Sequence, residues 1–135
     1  MALKRIKIFT NLEKVNEEQD PRFEVEQKLT IASNGAVSFV SSTYGGGYNQ
    51  YAKGRRLEIK IEPETAKEIL DRVEAYFSEQ ITYNIVAGFG FWNLTVTDDK
   101  RAMHDYYGST TGVYHELTKF IQDRIPINHL SVFDQ

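Results

Sequence analysis

The stretch RRLEIKIEPETAKEILDRVEAYFSEQ, residues 55–80, contains the change of periodicity that decides the fold class. Its first part alternates charged residues with the apolar Leu57, Ile59 and Ile61, which is the pattern of a strand with one buried face. After Pro63, which suits the first turn of a helix, apolar residues recur every three to four positions. These positions are Ala66, Ile69, Leu70, Val73, Tyr76 and Phe77. A strand followed directly by an amphipathic helix indicates a fold that contains both element types.

Further elements are predicted on both sides of this stretch. Residues 23–31 (FEVEQKLTI) alternate in the same way, and the Asn34-Gly35 pair predicts a type I′ turn into a returning strand, AVSFVSS at 36–42. Three later segments have strand patterns and one has a second helical stripe; they are ITYNIVAG at 81–88, FWNLTVT at 91–97, RAMHDYY at 101–107 and the helix TGVYHELTKFIQDRI at 111–125. We interpret residues 10–22 as a long connection and HLSVFDQ at 129–135 as a short strand or a docked extension.

The order of strands, helix, strands and helix predicts a single α+β domain over residues 1–135. We expect an antiparallel sheet of about six to seven strands with two helices packed on one face. A chain of this length is able to bury a sizeable core. Polar strand positions such as Asn93, Thr95 and Thr97 indicate that part of the other sheet face is exposed to water.

The composition excludes several classes of function. The chain has no cysteine, which rules out disulfides, thiolate metal sites and cysteine nucleophiles. The first residues lack the apolar core of a secretion signal, and no stretch approaches about eighteen apolar residues, so we expect a cytoplasmic protein without a membrane span. The net charge of −3 argues against bulk attraction to nucleic acid, although residues 31–60 carry four basic side chains and one acidic side chain.

The locally basic segment STYGGGYNQYAKGRR, residues 42–56, is the main candidate for a binding site. Its glycines lack the spacing of a phosphate-binding loop and lie between strands, so we interpret them as a hairpin loop. Rings and cations are interleaved around them, as in proteins that stack bases and bind phosphates. The predicted ligand- or partner-binding residues are Tyr44, Tyr48, Tyr51, Lys53, Arg55 and Arg56.

The direction of the two arginines depends on the regularity of their strand. In a regular strand Arg55 points with Leu57 to one face and Arg56 points to the other. The alternative is a bulge at Gly54 that brings the side chains of Tyr51, Lys53, Arg55 and Arg56 to one face. The alternative interpretation is structural, with tyrosines paired across the hairpin and arginine stems lying over a sheet edge. The residue pattern favours this structural interpretation and leaves ligand binding as the alternative.

No combination of residues has the spacing of a known catalytic or metal site. The histidines His104, His115 and His129 are 11 and 14 residues apart, which fits no compact metal-binding motif. His104 and Asp105 are neighbours on a predicted strand and therefore point to opposite faces. We predict no catalytic residues, no bound metal and no cofactor.

Several short motifs carry a resemblance to other proteins. They are YAKGRRLEIKI at 51–61, AYF at 75–77, FWNLTVTDD at 91–99, YYGS at 106–109 and LSVFD at 130–134. In this order they resemble a broad group of small proteins of Gram-positive bacteria that have no assigned function. The resemblance covers residues from about 30 to 134 and implies a cytosolic bacterial domain of one piece. It implies neither an activity nor any functional residues.

Three functional hypotheses follow, each from a different class. The first is a non-catalytic module that binds a protein partner, for example an inhibitory or immunity protein. The alternative is a binder of nucleic acid, or of a phosphorylated small ligand, through the basic aromatic hairpin. The third is an enzyme that uses His104 with carboxylates from elsewhere in the chain. The sequence predicts no particular oligomeric state.

Overall fold

A computed structural model describes residues 3–12, 24–47, 50–77, 90–110 and 114–133. In these residues one antiparallel sheet of six strands is combined with two helices, which confirms the predicted α+β class. The elements are β1 (Leu3–Asn11), β2 (Glu24–Ala32), β3 (Ala36–Gly47), β4 (Gln50–Lys60), α1 (Pro63–Phe77), β5 (Phe91–Asp98), β6 (Met103–Ser109) and α2 (His115–Arg124). Across the sheet the strands are ordered β4-β3-β2-β1-β5-β6.

Both helices contribute to one apolar core on a single face of the sheet. The sheet supplies side chains such as Ile6, Leu29 and Phe39, and the helices supply others such as Ile69 and Leu117, all of them buried. The other face, called the open face from here on, carries the alternate residues of each strand. No helix in the described part of the chain has the length and apolar character needed to span a membrane.

Strand β1 is absent from the predicted elements, although it pairs with both β2 and β5 and lies inside the sheet. Its buried Ile6 and Ile8 alternate with the charged Arg5 and Lys7, so a half-buried pattern is present but short. The predicted long connection was placed two residues too early, because β1 continues to Asn11.

The β2–β3 hairpin is confirmed, and the type of its turn is corrected. The Gly35 amide donates to the Ala32 carbonyl at 3.0 Å, which places Ser33 and Asn34 at the centre of the turn. Gly35 then adopts a φ of 94°, so the loop has three residues instead of the two of a type I′ turn. A side chain at Gly35 would also overlap the Ile61 carbonyl oxygen.

The remaining predictions hold in part. Strand β5 is confirmed, but β6 begins at Met103 because the Asp98 carboxylate accepts the amides of Lys100 and Ala102 and lengthens the turn. The predicted strand at 81–88 lies outside the described residues, and α2 begins at His115 instead of residue 111. Residues 129–133 form no strand; they dock on the core as an extension.

Candidate functional site

The β3–β4 hairpin positions the predicted binding residues. The backbone of Tyr44 belongs to β3, and β4 contains Tyr51, Lys53, Arg55 and Arg56. Tyr48 lies outside the described residues, as do the side chains of Tyr44 and Tyr51. The structure therefore shows the positions of the three basic side chains, Lys53, Arg55 and Arg56. The roles of the tyrosines stay predictions.

A β-bulge in β4 decides the direction of these cations. Gly54 and Arg55 together lie opposite the single residue Ser41. The pairs on either side of the bulge are Val40 with Arg56 and Ser42 with Lys53. Because one residue is inserted, Lys53 lies with Arg56 on the open face, while Arg55 lies on the helix side. The bulge thus brings two of the three cations together and leaves the third apart.

On the helix side, Arg55 bonds to several protein groups, and 32% of its side chain is exposed. Its Nε and Nη2 donate to the two carboxylate oxygens of Glu24 at 2.8 and 2.7 Å. Its Nη1 donates to the Asn128 carbonyl at 2.7 Å, and its guanidinium carbon lies 4.8 Å from the centre of the Phe39 ring. The Nε–Nη2 edge of Arg55 is occupied by Glu24, and its Nη1–Nη2 edge faces the carbonyls of Asn128 and His129 at 2.7 and 3.5 Å, so neither edge is open to the bidentate contact that a phosphate prefers.

Glu24 reaches Arg55 because of a second bulge, in β2. Val25 is the inserted residue, and it reverses the alternation that would otherwise put Glu24 on the open face. The pairs on either side are Glu24 with Thr43 and Glu26 with Ser42. The strand pattern of residues 23–31 assigns Glu24 to the solvated face, so its role in this ion pair is missed by sequence reasoning.

The Glu24 carboxylate is stabilised in its charged form. Burial alone would raise the pKa of Glu24, but hydrogen bonds from Arg55 and Ser41 and the positive charge of Arg55 together outweigh burial and lower the pKa. The Ser41 hydroxyl donates to one oxygen of this carboxylate, and the Gln27 amide approaches the other at 3.4 Å. At neutral pH the pair therefore contributes no net charge to its surroundings.

A groove of about 680 Å³ opens beside this ion pair, between the strand ends and residues 128–131. The Gln27 side chain in its wall donates to the His129 carbonyl at 2.8 Å and accepts the Ser131 amide at 2.8 Å. Arg55 and Glu24 neutralise each other in the same wall. These polar groups fasten the C-terminal segment to the sheet, so the groove is a weak candidate for a ligand site.

One row of paired residues crosses the open face from edge to edge. In the order β4 to β6 the row consists of Arg56, Val40, Lys28, Phe9, Asn93 and Tyr107. Cations lie toward the β4 edge and aromatic rings toward the β6 edge. In the adjacent row, Lys53 lies at the β4 end and Phe91 lies on β5, next to Ser109 at the β6 end. The centres of the Phe91 and Phe9 rings are 5.9 Å apart.

The rings of this face are accessible, although sequence reasoning does not select them. Phe91 is 44% and Tyr107 is 47% exposed, and Phe9 is half-buried. Phe9 is missed because it belongs to the unpredicted β1. Phe91 has the parity of Asn93 and Thr95, which are predicted to face water, so its position on the open face could have been found from the sequence.

The open face is basic although the whole chain is acidic. In the described strands it carries six basic and three acidic side chains; these are Arg5, Lys7, Lys28, Lys53, Arg56 and Lys60 against Glu26, Glu58 and Asp105. The excess is three positive charges on a chain with a net charge of −3. Helices α1 and α2 have the opposite balance, with six acidic and four basic side chains.

The histidines and acidic residues form no metal site in the described part of the chain. His104 is about half exposed, and its Nε2 lies 3.9 Å from the Asp98 carboxylate, which is longer than a hydrogen bond. The Asp98 carboxylate instead accepts hydrogen bonds from the amides of Lys100 and Ala102 in the turn between β5 and β6. Asp105 instead accepts the Thr95 hydroxyl at 2.6 Å on the open face, so His104 and Asp105 point to opposite faces.

Comparison with known proteins adds no assignment to this geometry. No protein-family model matches the chain, and no curated protein matches it significantly. The resemblance to small proteins of Gram-positive bacteria stays a prediction.

Proposed function

We propose that this protein is a non-catalytic binding module that holds a negatively charged macromolecule on the open face of its sheet. The observation that carries the proposal is the excess of three positive charges on this face of a chain whose net charge is −3. Both partners expected from the sequence, a protein and a nucleic acid, are compatible with this chemistry, provided that the protein partner is acidic.

The basic face is effective for a ligand that lies directly on it. At physiological ionic strength salt screens exposed charges over about 8 Å. A bound polyanion therefore interacts with Lys28, Lys53 and Arg56 more strongly than with the acidic helix side chains behind the sheet. Arg55, which is neutralised by Glu24, is not part of this surface.

The proposal is tested by retention on heparin-agarose, a polyanionic matrix, at neutral pH. A net charge of −3 alone predicts that the protein flows through. The open face predicts retention that is lost steeply between about 50 and 200 mM salt. We expect the double variant Lys28→Glu, Arg56→Glu to lose retention at low salt.

A matched control separates the surface from the total charge. The double variant Lys67→Glu, Lys119→Glu makes the same change in net charge on exposed positions of α1 and α2. It should be retained nearly as well as the unaltered protein. If the unaltered protein flows through at low salt, or if both double variants elute together, the open face is not a polyanion-binding surface and the proposal is wrong.

A further inference from the structure

We infer that the bound macromolecule is a single-stranded nucleic acid, whose bases stack on Phe9, Phe91 and Tyr107 while its phosphates contact the neighbouring cations. This inference rests on the proposed function and names its ligand. Charge alone accounts for attraction to any polyanion. The three aromatic rings on the same face are the feature that favours one class of polyanion over the others.

The rings form a compact platform on adjacent strands. Phe9 and Phe91 lie 5.9 Å apart with an angle of 43° between their planes. Tyr107 lies two strands away from Phe9 in the same row, or about 9 to 10 Å, with Asn93 between them. The side-chain amide of Asn93 donates to the Tyr106 carbonyl at 3.2 Å, which fixes the position of the Asn93 side chain between the rings. Exposed rings on a sheet are a common platform for unpaired bases.

Cations adjoin this platform on one side. Lys28 is paired with Phe9 across β1 and β2, and Arg56 follows two strands farther along the same row. Proteins that bind single strands combine rings for the bases with basic side chains along the backbone. A single-stranded nucleic acid that crosses the sheet along this row would contact both groups.

Two other polyanions fit this surface less well. An acidic polypeptide would use the cations, but the face of an aromatic ring carries partial negative charge and offers carboxylates no attraction. A nucleic-acid duplex keeps its base faces stacked inside the helix, so it would also use only the cations. Single-stranded nucleic acid is the polyanion that uses both parts of the open face.

The experiment measures fluorescence anisotropy of a labelled oligothymidylate of about twelve nucleotides, a length within the range of single-strand sites. An abasic oligomer with the same number of phosphates, a duplex of the same length and an oligoglutamate peptide serve as competitors. We expect unlabelled oligothymidylate to displace the labelled oligomer at a lower concentration than any of these three competitors. Phe91→Ala, Tyr107→Ala and their leucine counterparts should each weaken oligothymidylate binding at least about fivefold, because each removes a stacking partner.

Met103→Ala is the matched control, since Met103 is 67% exposed on the same face of β6 and has no ring. It should leave the affinity unchanged. If the abasic oligomer, the duplex or the peptide binds as tightly as oligothymidylate, or if only Lys28→Glu, Arg56→Glu weakens binding, the single-strand inference is wrong and the polyanion module stands. If none of the four probes binds at low salt, the proposed function fails as well.

Discussion

At the scale of single residues, Arg55 and Arg56 show how neighbours in sequence acquire unrelated roles. Arg55 donates to Glu24 and Asn128 on the helix side, whereas Arg56 is exposed on the open face. Strand alternation predicts that they point apart. It does not predict the partner of Arg55, because Glu24 reaches the helix side only through its own bulge.

This difference predicts unequal effects on stability. Arg55→Ala should lower the free energy of unfolding by about 2 kcal/mol at neutral pH, because it leaves a partly buried carboxylate without its charged donor. Arg56→Ala, the matched control, should change it by less than about 0.5 kcal/mol. Urea unfolding followed by the fluorescence of Trp92, which is the single tryptophan, measures both values.

The same pair predicts the pH dependence of the Arg55→Ala effect. The pKa of Glu24 is lowered in the folded protein, so its stabilisation is complete above the pKa of the unfolded chain and is lost as the pH falls through the folded value. The deficit of Arg55→Ala should therefore shrink on acidification, while that of Arg56→Ala should not follow this trend. A deficit that is the same at neutral and acidic pH would show that Arg55 stabilises by packing alone.

At the scale of elements, periodicity predicts regular strands and helices, but it does not predict the pairing at the bulges that interrupt the strands. Strands β2, β3, β4 and β5 and helix α1 follow from regular alternation or a regular apolar stripe. The bulges of β2 and β4 opposite β3 are single insertions, and only the one in β4 has a local signal, the glycine at position 54. Which side chains each bulge brings together depends on pairing with β3, which the local sequence does not contain. The predicted basic hairpin therefore supplies only Lys53 and Arg56 to the basic face, and the rings of that face come from β1, β5 and β6.

The bulge in β4 predicts the effect of a side chain at Gly54. A Cβ at this position would overlap Ser41 Oγ, which is already bonded to the Arg55 amide at 2.7 Å. Gly54→Ala should lower the free energy of unfolding by about 1 to 3 kcal/mol through overpacking. The reverse change Ala52→Gly, at an exposed position of the same strand, measures the difference in strand propensity between the two residues, and propensity alone would make Gly54→Ala stabilising by that amount. No loss of stability in Gly54→Ala, or a gain as large as the loss in Ala52→Gly, would mean that the bulge accommodates a side chain.

At the scale of the whole molecule, the C-terminal segment closes the core. Val132 adopts a φ of 57°, which is rare for a β-branched residue, and the Thr10 hydroxyl donates to its carbonyl. The Phe133 amide donates to Thr118 Oγ1 at 3.3 Å. The centre of the Phe133 ring lies 4.9 Å from the centre of the Trp92 ring. Phe133 is almost fully buried. An extension that looks peripheral in the sequence therefore completes the aromatic part of the core.

This contact predicts that the segment is required for the stability of the entire fold. Phe133→Ala should lower the free energy of unfolding by about 3 to 5 kcal/mol, as expected for a buried phenylalanine. It should also shift the emission of Trp92 to longer wavelength, because the ring that shields the indole is removed. Ser131→Ala, which keeps the backbone amide bonded to Gln27, should change neither quantity appreciably. An unaltered emission maximum in Phe133→Ala would contradict the packing described.

The strand order also has a consequence for synthesis on the ribosome. The first strand of the chain lies inside the sheet, and one of its neighbours, β5, starts at residue 91. Strands β1 to β4 are able to pair as they emerge. The other edge of β1 stays unpaired until α1, the segment that follows it and β5 have been translated. Chains emerge at about 5 to 20 residues per second, so this edge stays unpaired for seconds, during which it is able to pair with the wrong strand.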